Sequence, residues 1–309
     1  MKKKKKPIVL FIYKRPEHTL NVLKSIISYH PDKIYIIADG PKNRDEIEMC
    51  MITRETATNF SFSKKTEIKT NFSKNNMGGP YRIPSGLNWV FEQEEDAIIL
   101  EDDCVPSQSF FPFCEELLCY YKNDKRIGHI SGNNFQKEKL IKDSYYFSIF
   151  NHCWGWATWR RAWKYYDSGL TKWPTFKSNN YIKNFFAKKK HVYYWSNIFE
   201  NVYNLTKVHW DYTWTFSCWS NNFLTIIPAK NLVSNIGFGI NASNTKNPYD
   251  SKANMTANEL NFPLNHPACI LRNYGADEYV QKKHFGPKSY YSRVLNVLHR
   301  FGKYFQHLR

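Results

Sequence analysis

Unbroken apolar runs punctuate the first 130 or so residues, and amphipathic stretches separate them. Residues 8–13, 33–38 and 98–100 each form such a run. A run with no polar alternation has both faces covered, as a strand inside a parallel sheet does. Between the first two, Leu20, Leu23, Ile26 and Ile27 recur at helical spacing behind Pro16, so a helix is expected there. Strand, helix and strand in this order make a right-handed crossover. The pattern continues with a helix over 43–57, a strand over 65–71 and a loop at Asn75-Asn76-Met77-Gly78-Gly79-Pro80. It predicts helices over 82–92 and 110–122, and a short strand over 127–131 closed by Gly132-Asn133-Asn134. The expected class is α/β, with a mainly parallel central sheet flanked by helices.

After about residue 135 the character changes. Residues 145–150 read as a strand. The segment Asn151-His152-Cys153-Trp154-Gly155-Trp156-Ala157-Thr158-Trp159 is dense in aromatics and is expected to begin a helix near Thr158. Helices are expected over 183–203 and from His209 through Trp219, and a strand over 224–228. A polar Gly- and Asn-rich loop follows over 235–247. Residues 263–267 and the basic tail carry little organising pattern, and no internal repeat is present. The expected division is one domain over 1–250, split into halves of about 7–134 and 135–250, with a basic extension over 251–309.

Composition sharpens this picture in three ways. Among 309 residues are 10 Trp, 21 Tyr and 22 Phe, more rings than a core alone requires, and the surplus suits surfaces that stack on bases or sugars. The formal charge of +17 favours polyanions, anionic membrane surfaces and acidic small molecules. No zinc-finger, RNP-like or helix-turn-helix signature accompanies it, so no specific nucleic-acid partner is expected. The seven cysteines include no CxxC pair and read as free thiols in a reducing compartment. Lys2 to Lys6 and the apolar run after them imitate a signal peptide, but the run is short, meets Lys14-Arg15 and lacks a cleavage site. A cytoplasmic protein is expected, with peripheral contact at the inner membrane face.

The sharpest chemical feature is Glu101-Asp102-Asp103, which ends the third apolar run. Adjacent carboxylates at a strand end repel one another and lose hydration. A divalent cation completed by a phosphorylated ligand would relieve that cost, and the strand end is where open α/β sheets bind ligands. The alternative is a solvated turn with a helix-capping acid, and Ser107 is a cap for the next helix. Alternating side chains diverge, so the three acids do not all reach one ion. Asp103 is the expected direct ligand, with Asp102 toward ribose or a metal-bound water and Glu101 in support. Oxygen ligands beside phosphate indicate Mn²⁺ or Mg²⁺.

Other candidates lie apart in sequence. Asp39, before Gly40-Pro41, can accept a hydrogen bond from a uracil N–H or a ribose hydroxyl, or satisfy its own turn. Arg15 can meet a pyrophosphate bidentately or be an ordinary surface arginine. Asp211, bracketed by Trp210 and Tyr212 with Trp214 nearby, suits a general base tuned by burial, or a helix-start acid paired with a lysine. Trp154 and Trp156 suit a pocket wall or the core, and His152 is a candidate contact to diphosphate or sugar. The Gly-x-Gly-x-x-Gly, Walker, Gly-x-Ser-x-Gly and His-Glu-x-x-His motifs are absent from the sequence, which argues against the commonest dinucleotide, NTPase, hydrolase and zinc-protease classes.

Taken in order, segments 7–18 with Arg15-Pro16, 36–41, 75–79, 99–106, 154–163, 210–214 and 231–239 resemble a family of bacterial nucleotide-sugar glycosyltransferases. That family is distantly similar to N-acetylglucosaminyltransferase I, and the likeness covers roughly residues 7–245. The resemblance implies a GT-A (nucleotide-diphospho-sugar transferase) fold and inverting transfer to a glycan or glycolipid acceptor, in lipopolysaccharide or capsule synthesis. By the same resemblance, Arg15 and Asp39 contact the nucleotide, Asp102 helps hold a nucleotide sugar (a UDP-sugar is favoured), Asp103 binds the metal, and Asp211 is the base. Tyr212 stands where the eukaryotic relative has a second acid. The competing classes are a metal-dependent phosphotransferase and a non-catalytic polyanion-binding protein.

Overall fold

The computed structural model describes residues 5–136, 141–239, 247 and 250–285. Most of the polar loop over 235–247, the first lysines and the tail beyond 285 lie outside the described residues. The strands are β1 (Ile8–Ile12), β2 (Lys33–Ala38), β3 (Glu67–Phe72), β4 (Asp96–Glu101), β5 (Cys104–Pro106), β6 (Ile127–Ser131), β7 (Tyr145–Ser148), β8 (Trp156–Trp159), β9 (Leu224–Pro228) and β10 (Val233–Asn235). The helices are α1 (Pro16–Tyr29), α2 (Ile47–Thr58), α3 (Gly79–Phe91), α4 (Phe110–Tyr120), α5 (Arg160–Trp163), α6 (Trp173–Ser178), α7 (Lys189–Tyr203), α8 (Trp210–Ser220) and α9 (Tyr274–His284).

An eight-stranded sheet in the order β3-β2-β1-β4-β8-β6-β9-β7 forms the centre of a mixed α/β architecture. β1, β2, β3 and β4 pair in parallel, as do β6 and β9, whereas β8 is antiparallel to both its neighbours and β7 to β9. Because side chains alternate along a strand, Ile8, Leu10 and Ile12 join one core cluster and Val9 and Phe11 the other. The first cluster is closed by α1 and α4 through Val22, Leu23, Ile26, Phe111 and Leu117. The second is closed by α3, α7 and α8 through Leu87, Val90, Trp195, Phe199 and Trp214. Burial on both sides is the physical reason these strands are apolar throughout.

Three expectations are revised. Trp156 to Trp159 is a strand wedged antiparallel between β4 and β6, not a loop leading into a helix, and only the four-residue α5 follows it. Trp156 is 1% exposed, with its ring stacked on His129 at 4.8 Å; it is a core residue, not a pocket wall. The third revision concerns residues 272–284 of the basic extension, which are organised. Arg272 bridges to Phe147, and α9 buries Ala276, Asp277, Val280 and Gln281. None of the described helices is long and apolar enough to cross a membrane.

Candidate functional site

β1, β2 and β4 run in parallel, so their carboxyl ends deliver Tyr13 to Arg15, Asp39, and Glu101 to Asp103 to one edge of the sheet. β4 stops at Glu101, Asp102 and Asp103 make a turn, and β5 begins at Cys104. β5 pairs with β10 so that Asn235 stands opposite Cys104. This small ladder folds the segment after β10 back over the acids, and Ile236 N–H donates to the Asp103 carbonyl at 2.9 Å.

Arg15 joins the two aspartates. Its Nη1 lies 2.8 Å from Asp103 Oδ2 and 3.5 Å from Asp102 Oδ1. Tyr13 N–H donates to Asp102 Oδ2 at 3.0 Å, and the Asn235 side-chain amide reaches Asp103 Oδ1 at 3.5 Å. Burial, and then the charge of Asp103, push the Asp102 carboxyl up to about 7, against the opposing pull of Arg15 and the Tyr13 N–H. Glu101 is also driven up, by burial and then by the charges of Asp103, Asp102 and Asp211. Burial works against the Arg15 charge, but Asp102 and Asp103 outweigh it and hold the guanidinium protonated.

The Trp210 ring stacks on Trp156 at 5.8 Å, and Trp156 stands opposite Ile99 of β4, so the first turn of α8, which carries Asp211, packs near this edge although it lies far from Glu101 in sequence. His209 is the residue before α8, and its carbonyl accepts from Thr213 N–H at 3.1 Å. Asp211 itself is raised by burial, partly offset by His209 and by backbone N–H groups. Cys153 belongs to the same neighbourhood: burial raises its thiol, and Asp211 and Glu101 add to the effect. Thr215 Oγ1 ties Asn151 Oδ1 to the Asp211 carbonyl, at 2.8 and 2.9 Å.

The remaining candidates are placed as follows. The Asp39 carboxylate accepts from the N–H groups of Gly40, Met77 and Gly78, at 2.9, 2.9 and 2.8 Å, and from the Asn76 amide at 3.2 Å. It clamps the 75–78 loop to the end of β2. A Cβ on Gly40 would stand 2.4 Å from the Asn75 carbonyl carbon, so only glycine allows this approach. Trp154 is half-buried between Phe135 and Phe238, and its N–H donates to Asn133 Oδ1 at 3.0 Å. His152 is buried, and burial, followed by the nearby His284, holds its ring neutral. Ser107 does not cap α4 through its hydroxyl, which has no hydrogen-bond partner. Instead Glu259 accepts from the N–H groups of Gln108 and Ser109, at 3.1 and 2.7 Å.

Asn235 and Gly237, which fall in the 231–239 segment, lie at this edge together with Cys153 and Tyr13, and the sequence assigned a site role to none of the four. Asn235-Ile236-Gly237 carried a usable signal, an Asn that turns the chain by accepting from the N–H two residues on. Among the described residues, no group of three or more His, Cys, Asp and Glu is placed to hold a metal ion.

The chain matches no known protein family and no curated protein. Solved structures do match, among them a crystal structure of S. aureus TarS residues 1–349, at 12% identity and a TM-score of 0.34. That alignment covers 56% of this chain and 49%, about half, of the TarS chain. At that depth of similarity nothing about activity passes from one chain to the other.

Proposed function

We propose that the protein is a glycosyltransferase that moves a sugar from a nucleotide-diphosphate donor to a glycan or glycolipid acceptor by single displacement, with inversion. The observation that carries this reading is the Arg15–Asp102–Asp103 group at the carboxyl edge, with Asp211 in the first turn of the helix whose Trp210 packs on the neighbouring strand at Trp156. Direct displacement needs two separate functions: charge relief at the departing diphosphate and a base at the acceptor.

The donor set near the diphosphate position consists of oxygens from Asp102 and Asp103. Such a set fits Mg²⁺ or Mn²⁺, which commonly use one or two carboxylates and take remaining ligands from substrate phosphates and water. Asp103, supported by Asp102, would hold the ion. The ion would supply neutralisation of charge on the leaving group. Arg15, whose Nη1 reaches Asp103 at 2.8 Å, would donate to the diphosphate oxygens.

Asp211 then accepts the proton of the acceptor hydroxyl. The hydroxyl oxygen bonds to the anomeric carbon, and the bond from that carbon to the diphosphate oxygen breaks, its electron pair leaving with the nucleoside diphosphate. The raised affinity of Asp211 for a proton suits a base better than a fully solvated aspartate would. UDP is the favoured nucleotide. The basic surface supports loose contact with an anionic membrane that carries the acceptor.

Transfer assays on Asp103→Ala test the reading. Loss of Mn²⁺-stimulated transfer with intact folding supports it; unchanged turnover and unchanged metal dependence would remove the assignment.

A further inference from the structure

We propose a second binding site, away from the acids, for a neutral hydroxyl-rich glycan. A cavity of 420 Å³ opens near the start of β9 and the end of β7, lined by Trp219, Phe185, Tyr181, Tyr274, Asn222 and Arg272 among others. β9 runs in the same direction as β4, so its first residue lies at the edge opposite Glu101. α8 links the two places. Asp211 is in its first turn and Trp219 near its end, about 12 Å further along the axis. The inference therefore stands on the cavity's own lining and does not depend on the catalytic reading.

The lining selects the ligand class. Tyr181 and Tyr274 are 43% and 67% exposed and offer ring surface to the apolar C–H face of a pyranose. Behind them Phe185 stacks on Trp219 at 4.9 Å, which makes a firm floor. Asn222 brings an amide, a donor and an acceptor together, suited to neighbouring hydroxyls.

The charge of Arg272 is already matched. Its Nε donates to Asp277 Oδ2 at 2.6 Å, its Nη2 donates to the Phe185 carbonyl at 3.0 Å, and its guanidinium lies 4.3 Å from the centre of the Tyr274 ring. A phosphate or carboxylate would have to compete with Asp277, which is 3% exposed and also bonded by Ser148. An uncharged sugar does not meet that competition. A volume of this size suits one or two sugar units.

The test is a printed array of neutral and acidic oligosaccharides probed with the full chain, followed by titration of the strongest ligand. The expected ligand is neutral. Tyr181→Ala and Tyr274→Ala should each weaken it by about tenfold, whereas Asp103→Ala and Asp211→Asn should leave it unchanged. Tyr274→Phe, which keeps the ring, should retain binding, and Asn222→Gly, which suits the positive φ of 55° there, provides a second variant that should lose it. Retention of no neutral glycan, preference for acidic ones, or affinity unaffected by the ring variants would overturn the proposal. Loss of glycan binding in Asp103→Ala would place the ligand at the acid edge and overturn it equally. Loss of transfer with this binding intact would bear on the catalytic reading alone.

Discussion

Asp103 and Gly237 are packed so closely that a Cβ at position 237 would stand 2.0 Å from Asp103 Oδ2. No real Cβ contact is that short, so Gly237→Ala must displace the carboxylate and with it the Arg15 pair. Transfer should fall by at least roughly tenfold, because a displacement of about 1 Å at a positioned group is already costly. The unfolding temperature should change little, since the strain falls on a side chain. Steady-state rates and a thermal melt check this, and full activity in Gly237→Ala would show that the position of Asp103 is unimportant.

Asp39 has a structural duty whatever it does for a ligand. Asp39→Ala leaves the N–H groups of Met77 and Gly78 without their acceptor. Met77 is exposed and Gly78 half-buried, so water replaces part of what is lost and the cost is about 0.5–1.5 kcal/mol for each bond; urea unfolding should shift to a lower midpoint even without substrate. A variant with native stability but impaired donor binding would instead give Asp39 a ligand role alone.

His129 makes stability depend on pH. In the tautomer with hydrogen on Nε2, the ring donates to the His152 carbonyl at 3.0 Å and accepts from Trp214 Nε1 at 3.1 Å. Burial lowers its pKa from 6.5 to about 3, against the His152 carbonyl bond. Below pH 6.5 the unfolded chain therefore holds a proton that the folded ring refuses. This stabilisation is complete above pH 6.5 and declines as pH falls toward 3. From pH 7 to 5 the loss from this residue is about 2 kcal/mol, and the lowered His152 acts in the same direction. Denaturant curves at the two pH values should show a smaller loss for His129→Asn than for the parent; equal losses would exclude the residue as the cause.

Asp211→Asn should keep donor binding and reduce transfer by roughly 10²–10⁴-fold. The amide keeps the shape of the side chain and takes no proton from the acceptor. Single-turnover rates with saturating donor provide the measurement, and near-normal rates in a folded variant would dismiss Asp211 as the base. A product that retains the donor's anomeric configuration would instead dismiss single displacement.

The strands with both faces buried were legible because burial leaves an unbroken apolar run. The expected spans for β2, β6 and β9 coincide with the observed ones. β8 was hidden because Trp156-Ala157-Thr158-Trp159 follows an aromatic loop with no polar break to mark where pairing begins. β5 and β10 span three residues each, too few for any period. α9 was missed because Asp277 and Gln281 occupy buried positions on it, so its apolar stripe is interrupted. Arg272, Ser148 and Ile149 N–H satisfy Asp277, and the Trp195 indole satisfies Gln281, partners that only the fold brings near. At the candidate site, the acidic triplet and Asp211 stood out as charged groups beside apolar ones. Asn235 and Gly237 did not, because their contact with Asp103 exists only once β10 pairs with β5.

The most direct measurement is calorimetric titration of the full chain with a panel of nucleotide sugars, with and without Mn²⁺, alongside a nucleic-acid ligand at physiological salt. The expected result is saturable binding of a UDP-sugar that Mn²⁺ strengthens and that Asp103→Ala weakens. Absence of binding by every nucleotide sugar, with the nucleic acid retained, would contradict it.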